Sequence, residues 1–231
     1  MKIRSLAASF VAVVMLGTAI PITVIAQSEQ TTWDDLQLVR SSRSQRVYLL
    51  PGADFRPFTR VMLDPTEVAF QRNWVRDFNR TVGSVSRRIS DADVERITRE
   101  VRGNFGDIFA EEYQRAGFQV VQSPGPDVLR VRTAVMDLSI SAPDIRSSGR
   151  VRSAAWEAGA ATLVVEARDS QTGALLGRAL DRRLAGDNMR FLRNAVTNRA
   201  DFRSLFRSWA RESIDGLRQL QSASPVAVAR K

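Results

Sequence analysis

The sequence predicts an α+β fold, an antiparallel or mixed β-sheet with two main helices packed on one face, and three observations carry that prediction. Short extended segments fall into two groups, at 47–70 and at 118–184. Two long stretches, 90–117 and about 199–220, instead repeat their apolar residues at helical spacing. Runs of strands interrupted by a helix and closed by another, without strict alternation, are the pattern of helices segregated to one side of a sheet.

Residues 1–26 have the layout of a secretory signal peptide: basic Lys2 and Arg4, an apolar run over 6–20, Pro21, then Val24, Ile25 and Ala26 before polar Gln27. Cleavage is expected between Ala26 and Gln27, placing the mature chain in the periplasm or outside the cell. The alternative is an uncleaved inner-membrane anchor through residues 6–26, which matches the roughly 20 apolar residues a spanning helix needs. No later stretch is apolar enough to span a membrane. Residues 27–45 are polar, with Trp33, Leu36 and Val39 as an anchoring patch, and read as an N-terminal linker. Residues 46–221 then form one α+β domain and 222–231 a flexible tail.

Within the domain, 47–50 reads as a strand closed by the turn pair Pro51 and Gly52. A second extended segment at 61–63 meets Asp64 and Pro65 and resumes at 68–70. Proline has no N–H for a ladder, so an edge or bulge is expected there. Ser90 caps the clearest helix, with Asp93 at the capping-box position and Gly117 at its end. Residues 118–121 are a strand, 124–127 a turn and 128–140 a long strand. Its apolar parity changes near Val135, which predicts a bulge or coverage of both faces. Residues 162–167 and 174–184 make a hairpin around 170–173, with Gly173 supplying positive φ. The last helix follows Asn198 as cap and turns Phe202, Leu205, Phe206, Trp209, Ile214 and Leu217 inward.

Composition removes most chemistries. The chain has neither cysteine nor histidine, which excludes Ser-His-Asp and Cys-His nucleophiles, ordinary zinc sites, disulfides and a lipidated cysteine. Lysine occurs only at positions 2 and 231, so Ser-Lys catalysis lacks its base. No cofactor or metal is expected, and the chain is read as non-enzymatic. Paired carboxylates are the surviving alternative, a hydrolase or metal-binding protein using Asp54, Asp64 and Glu67. In that setting Asp64 also serves to build the turn before Pro65, and Asp137 reads as a satisfied buried acid.

The net charge is +9, or +7 without Lys2 and Arg4. Nine arginines between 178 and 211 face only Asp181, Asp187 and Asp201, so most of the excess lies there. On the last helix Arg199, Arg203, Arg207 and Arg211 follow at steps of four, each turning only about 40° around the axis. They form one slanting ridge. It is either a solvated face partly neutralised by Glu212 and Asp215, or a contact for an anionic envelope surface or an acidic envelope protein. Nucleic acid is not expected, since export removes it and no recognition motif is present.

The strings YLLPGADFRPFTRVMLDPTEVAF (48–70), GFQVVQSPGPDVLRVRTAVMDL (117–138) and GAATLVVEARDSQTGALLGRALDRR (159–183) resemble the bacterial family called domain of unknown function 3313. The resemblance covers about residues 33–220. It implies an envelope protein of a Gram-negative bacterium with no assigned activity and no catalytic or ligand residues to carry over. Many members are lipoproteins, and this chain departs from them in having Ala26 and Gln27 where their lipidated cysteine stands.

Overall fold

The computed structural model describes residues 32–83, 85–141, 143, 153–155, 158–186, 191–193 and 195–227. The expected leader, its cleavage site at Ala26 and Gln27 and the alternative anchor at 6–26 lie outside these residues. The described strands are β1 (Thr32–Trp33), β2 (Leu36–Ser41), β3 (Gln45–Leu49), β4 (Arg60–Leu63), β5 (Glu67–Phe70), β6 (Gln119–Val120), β7 (Val128–Ile140), β8 (Ser153–Ala155), β9 (Gly159–Asp169), β10 (Leu175–Ala185) and β11 (Phe191–Arg193). The helices are α1 (Trp74–Thr81), α2 (Asp91–Arg115) and α3 (Ala195–Ala223). The main sheet runs β1-β2-β3-β10-β9-β7-β4-β6, with β5 also paired to β7, while β8 and β11 pair separately. Pairing is antiparallel except where β4 and β5 run parallel to β7 and β4 parallel to β6. The fold is therefore α+β with a mixed sheet.

The parity change in the longest strand resolves into a bulge. Leu129, Val131 and Val135 are buried on the helix side. The register with β9 then slips between Met136 and Ser139, Asp137 takes φ 51°, and Leu138 and Ile140 return to buried positions. Asp137 is consequently exposed at the bulge, not buried as its place in the strand implied. The proline break behaves as expected. Leu63 pairs with Val131 and Glu67 with Ala134, so three residues on one strand oppose two on the other. The polar groups freed by the break find partners: the Thr66 hydroxyl meets that of Thr133 at 2.8 Å, and Arg102 Nε donates to the Thr66 carbonyl at 3.0 Å.

Both expected ends of the domain are corrected. The segment read as a linker contributes β1 and β2, joined by Asp34 and Asp35 at φ 51° and 63°. Two successive positive φ values make the tight hairpin turn whose twist suits the flanking strands. Leu36 is fully buried and β2 pairs with β3, so the sheet begins here. At the other end α3 continues to Ala223. Val226 then exchanges backbone hydrogen bonds with Gly52 and Ala53 at 2.9 and 2.8 Å, so the start of the supposed tail is docked. Asn198, expected as a cap, lies one turn inside α3. The short α1 was not anticipated. It begins with Trp74, which stacks on Phe70 at 4.7 Å and donates to the Ile140 carbonyl.

The capping box of α2 forms as predicted, with Ser90 accepting from the Asp93 N–H and Asp93 accepting from the Ser90 N–H. Phe105, Ile108, Phe109 and Tyr113 of α2 meet Phe202, Phe206 and Trp209 of α3 in an aromatic seam, with Phe105 edge-on to Phe206 at 5.1 Å. This seam lies over the buried side chains of β7 and β9.

At the start of β9 the chain passes so close to β7 that a Cβ on Gly159 would stand 1.9 Å from the Ser139 carbonyl oxygen, at φ 154°. Gly159→Ala is expected to destabilise by about 3 kcal/mol or more, through backbone displacement and strain. Urea unfolding of the purified variant against wild type measures this.

Candidate functional site

A cleft of about 380 Å³ lies between α3 and the sheet. Its floor follows from sequence alternation: Leu129 and Val131 on β7, Leu163, Val165 and Ala167 on β9, and Gly177 and Ala179 on β10 share one face. Its roof is the stripe of α3 carrying Trp209, Ser213, Gly216, Leu217, Leu220 and Ala223. Space exists because the apposed surfaces are small in the middle. Ala179 faces up, Ser213, Gly216 and Ala223 face down, and these leave a gap that larger aliphatics would close. At Gly216 an added Cβ would meet nothing within 4 Å.

Polar groups gather at the Trp209 end. Trp209 Nε1 donates to Asp181 Oδ2 at 3.1 Å, and Arg183 pairs with the same oxygen at 2.7 Å. Arg183 also bonds to Glu212 and to the Ser208 hydroxyl. The Tyr113 hydroxyl, from α2, lies 2.7 Å from that of Ser213. Burial pushes the Tyr113 phenol up to about 12, against a smaller downward pull from the Ser213 bond. The tyrosine therefore serves as a neutral hydrogen-bonding strut at ordinary pH. Gln45 and exposed Arg40 line the cleft from the β2–β3 side, and Arg178 and Gln219 line it as well.

The arginine ridge lies on α3, and Glu112 engages Arg207 and Arg211. Glu112 of α2 is buried, and Arg211 donates to it at 3.0 Å while Arg207 Nε stands 3.5 Å away. Arg115 pairs with it too. The neutralising acid is thus a residue of the other helix, not Glu212, which Arg183 and Ser208 occupy, nor Asp215. Arg199 and Arg203 remain exposed on the same line.

The three candidate carboxylates do not converge. Asp54 is bound by its neighbour Arg56, whose side-chain bond holds the carboxyl below its usual range. Asp64 accepts from Arg130 at 3.0 Å, and Arg132 lies 3.5 Å from Asp64 and 3.3 Å from Glu67. Among the described residues no group of three or more carboxylates is placed to hold a metal ion. Each of these acids instead completes an ion pair with arginine.

Such pairs line part of the sheet face opposite the cleft. Arg178 is buried and joins Glu166 at 2.7 Å to Asp34 at 2.9 Å, and Arg168 holds the other Glu166 oxygen. Burial alone would raise the Glu166 carboxyl, but bonds from Arg178 and Arg168 outweigh it and keep it low. Beside them on the same face the register sets Ala134, Val164 and Leu180 in one row, with exposed Met136 next to Ala134.

The fold and cleft define an α+β protein with a large mixed sheet, a helix pair over one face and a gap beneath the second helix of that pair. The chain belongs to the family described as Protein of unknown function (DUF3313), whose model matches residues 28–213. Comparison with curated proteins finds no match. Among solved structures the chain is similar to the PelC dodecamer from Paraburkholderia phytofirmans, at 11% identity and TM-score 0.36, over 71% of this chain and 93% of that one. It is also similar to XCC0632 from Xanthomonas campestris, of family DUF330, at 10% identity and TM-score 0.36, over 71% and 84%. A putative neuraminyllactose-binding hemagglutinin homolog from Helicobacter pylori is similar at 11% identity and TM-score 0.35, over 74% and 96%. Among the described residues no helix is long and apolar enough to cross a membrane.

One ion pair gives a pH signature. The Arg60 side-chain bond, helped by Thr59, holds the Asp127 carboxyl at about 2, from an ordinary value of 3.8. A depressed carboxylate contributes stability that is whole above its unfolded value and disappears as pH falls through the folded one. Wild-type stability is expected to drop between about pH 4 and pH 2. Asp127→Asn should flatten that part of the curve, as read by urea midpoints at each pH.

Proposed function

We propose that this chain is an exported, non-enzymatic binding domain of the cell envelope, and that the cleft beneath α3 receives its ligand. The observation that carries the reading is a gap of about 380 Å³ with a mainly apolar lining and a cluster of polar groups at its Trp209 end. That combination of size and lining is the usual form of a small-molecule site, where volumes run from about 300 to 1,000 Å³. Export is supported by the leader layout of residues 1–26. A non-catalytic role is supported by the absence of histidine and cysteine and by the arginine pairing of the candidate acids Asp54, Asp64 and Glu67.

The uncharged fluorophore N-phenyl-1-naphthylamine should brighten saturably on adding the protein. Ala179→Leu, which fills the floor, should weaken that binding at least tenfold while leaving the circular dichroism spectrum unchanged. A probe that stays dark with folded wild type ends the reading.

A second contact is favoured by the exposure of Arg199 and Arg203 one turn apart on α3. These residues suit an anionic envelope surface. Retention on vesicles containing anionic lipid should fall steeply between low salt and about 0.5 M salt, because the screening length contracts over that range. Arg203→Glu should lower retention several-fold, and salt-independent retention would remove this contact.

A further inference from the structure

Arg40 reaches the cleft because β2 carries one residue more than its partner strand. Leu38 pairs with Tyr48 and Arg40 with Val47, so Val39 is inserted between them. In an unbroken strand, alternation would set Val39 opposite Val47 on the cleft side and turn Arg40 to the other face. The bulge instead brings Arg40 into line with Val47, Ala179 and Val165 of the floor, and both Val39 and Arg40 line the cleft. Val39 is left 53% exposed. An apolar side chain that could have covered the floor thus gives its place to a cation.

The other charged groups of the lining are answered within the protein. Arg178 holds Glu166 and Asp34, Asp181 takes Trp209 and Arg183, and Glu212 also takes Arg183. Arg40, by contrast, makes no side-chain hydrogen bond or ion pair among the described residues. It stands two strands from Ala179, roughly 10 Å across the sheet, at the β2 side of a mainly apolar gap.

Given that the cleft is the binding site, we propose that it takes a single-chain amphiphile with an anionic head group, held by the Arg40 guanidinium at the β2 mouth. The alkyl chain passes over Val47 and Ala179 and under Gly216 and Leu220. A carboxylate and a phosphate monoester each offer a pair of oxygens that the planar guanidinium can grip together. A cationic head meets like charge at Arg40 and finds Asp181 and Glu212 already paired with Arg183. An uncharged head forgoes the charge-assisted bond.

Competition against bound N-phenyl-1-naphthylamine separates the outcomes, using decanoate, decyl phosphate, decan-1-ol and decylammonium below their micellar concentrations. At about pH 8 the acids are ionised and the amine is protonated. The better of the two anions should displace the probe about tenfold or more better than decanol, and decylammonium should be weakest. Which anion is stronger identifies the head group. Arg40→Gln should bring the anions down to the level of decanol without changing decanol itself or the thermal unfolding temperature. Arg43→Gln, which removes the same charge from the exposed turn after β2 and outside the lining, should leave the order intact. Decanol or decylammonium equal to the anions in wild type overturns the proposal, as does an order that survives Arg40→Gln or is lost equally in Arg43→Gln. A bound probe that none of the four displaces also overturns it while leaving the cleft as a site, and no probe binding at all removes both readings.

Discussion

The bond from the Trp209 indole to Asp181 sets where α3 stands over the sheet, and much of the architecture follows from it. The contact joins the middle of the last helix to β10, and Arg183 and Glu212 extend it into a small polar cluster. About 15 residues further on, the chain is tied down again. The Ser224 hydroxyl accepts from the Phe55 N–H, and Val226 pairs with the Pro51–Gly52 turn region. A helix rises about 1.5 Å per residue, so these ties are roughly 22 Å apart. Between them α3 spans small side chains below and presents small side chains of its own. The gap is therefore held open from both ends.

The arginines serve the same economy. A chain with almost no lysine and no histidine builds its cross-links from planar guanidinium groups that can grip two oxygens at once. Glu112 gathers three of them at the junction of α2 and α3, and Glu166 gathers two across β9 and β10. Acids that composition alone would offer to catalysis are spent on joining elements. Arg199 and Arg203 stand exposed in the first turns of α3.

Features written in local sequence were legible. The Ser90 cap with Asp93, the bulge in β7, the break at Pro65 and the hairpin at Gly173 each rest on residues within a few positions of one another. The six residues expected to face inward from α3 are all buried. The first hairpin was missed because its turn is Asp34-Asp35, a pair that takes positive φ without a glycine to announce it. The short α1 was missed because a single buried residue, Trp74, anchors it. Glu112 lies 99 positions from Arg211, so no spacing argument could pair them. The cleft was invisible for a related reason. Its floor is contributed by separate strands whose individual Gly, Ala and Val residues look ordinary until register brings them side by side.

The far side of the sheet carries a consequence of its own. Arg130, Arg132, Arg168 and Arg178 form a grid of ion pairs there with Asp64, Glu67, Glu166 and Asp34. Covering that grid with another sheet would strip water from every ion at once with no new partner to offer in return. A stacked partner would carry that cost wherever it reached the ions, and would escape it over the neighbouring row of Ala134, Val164 and Leu180.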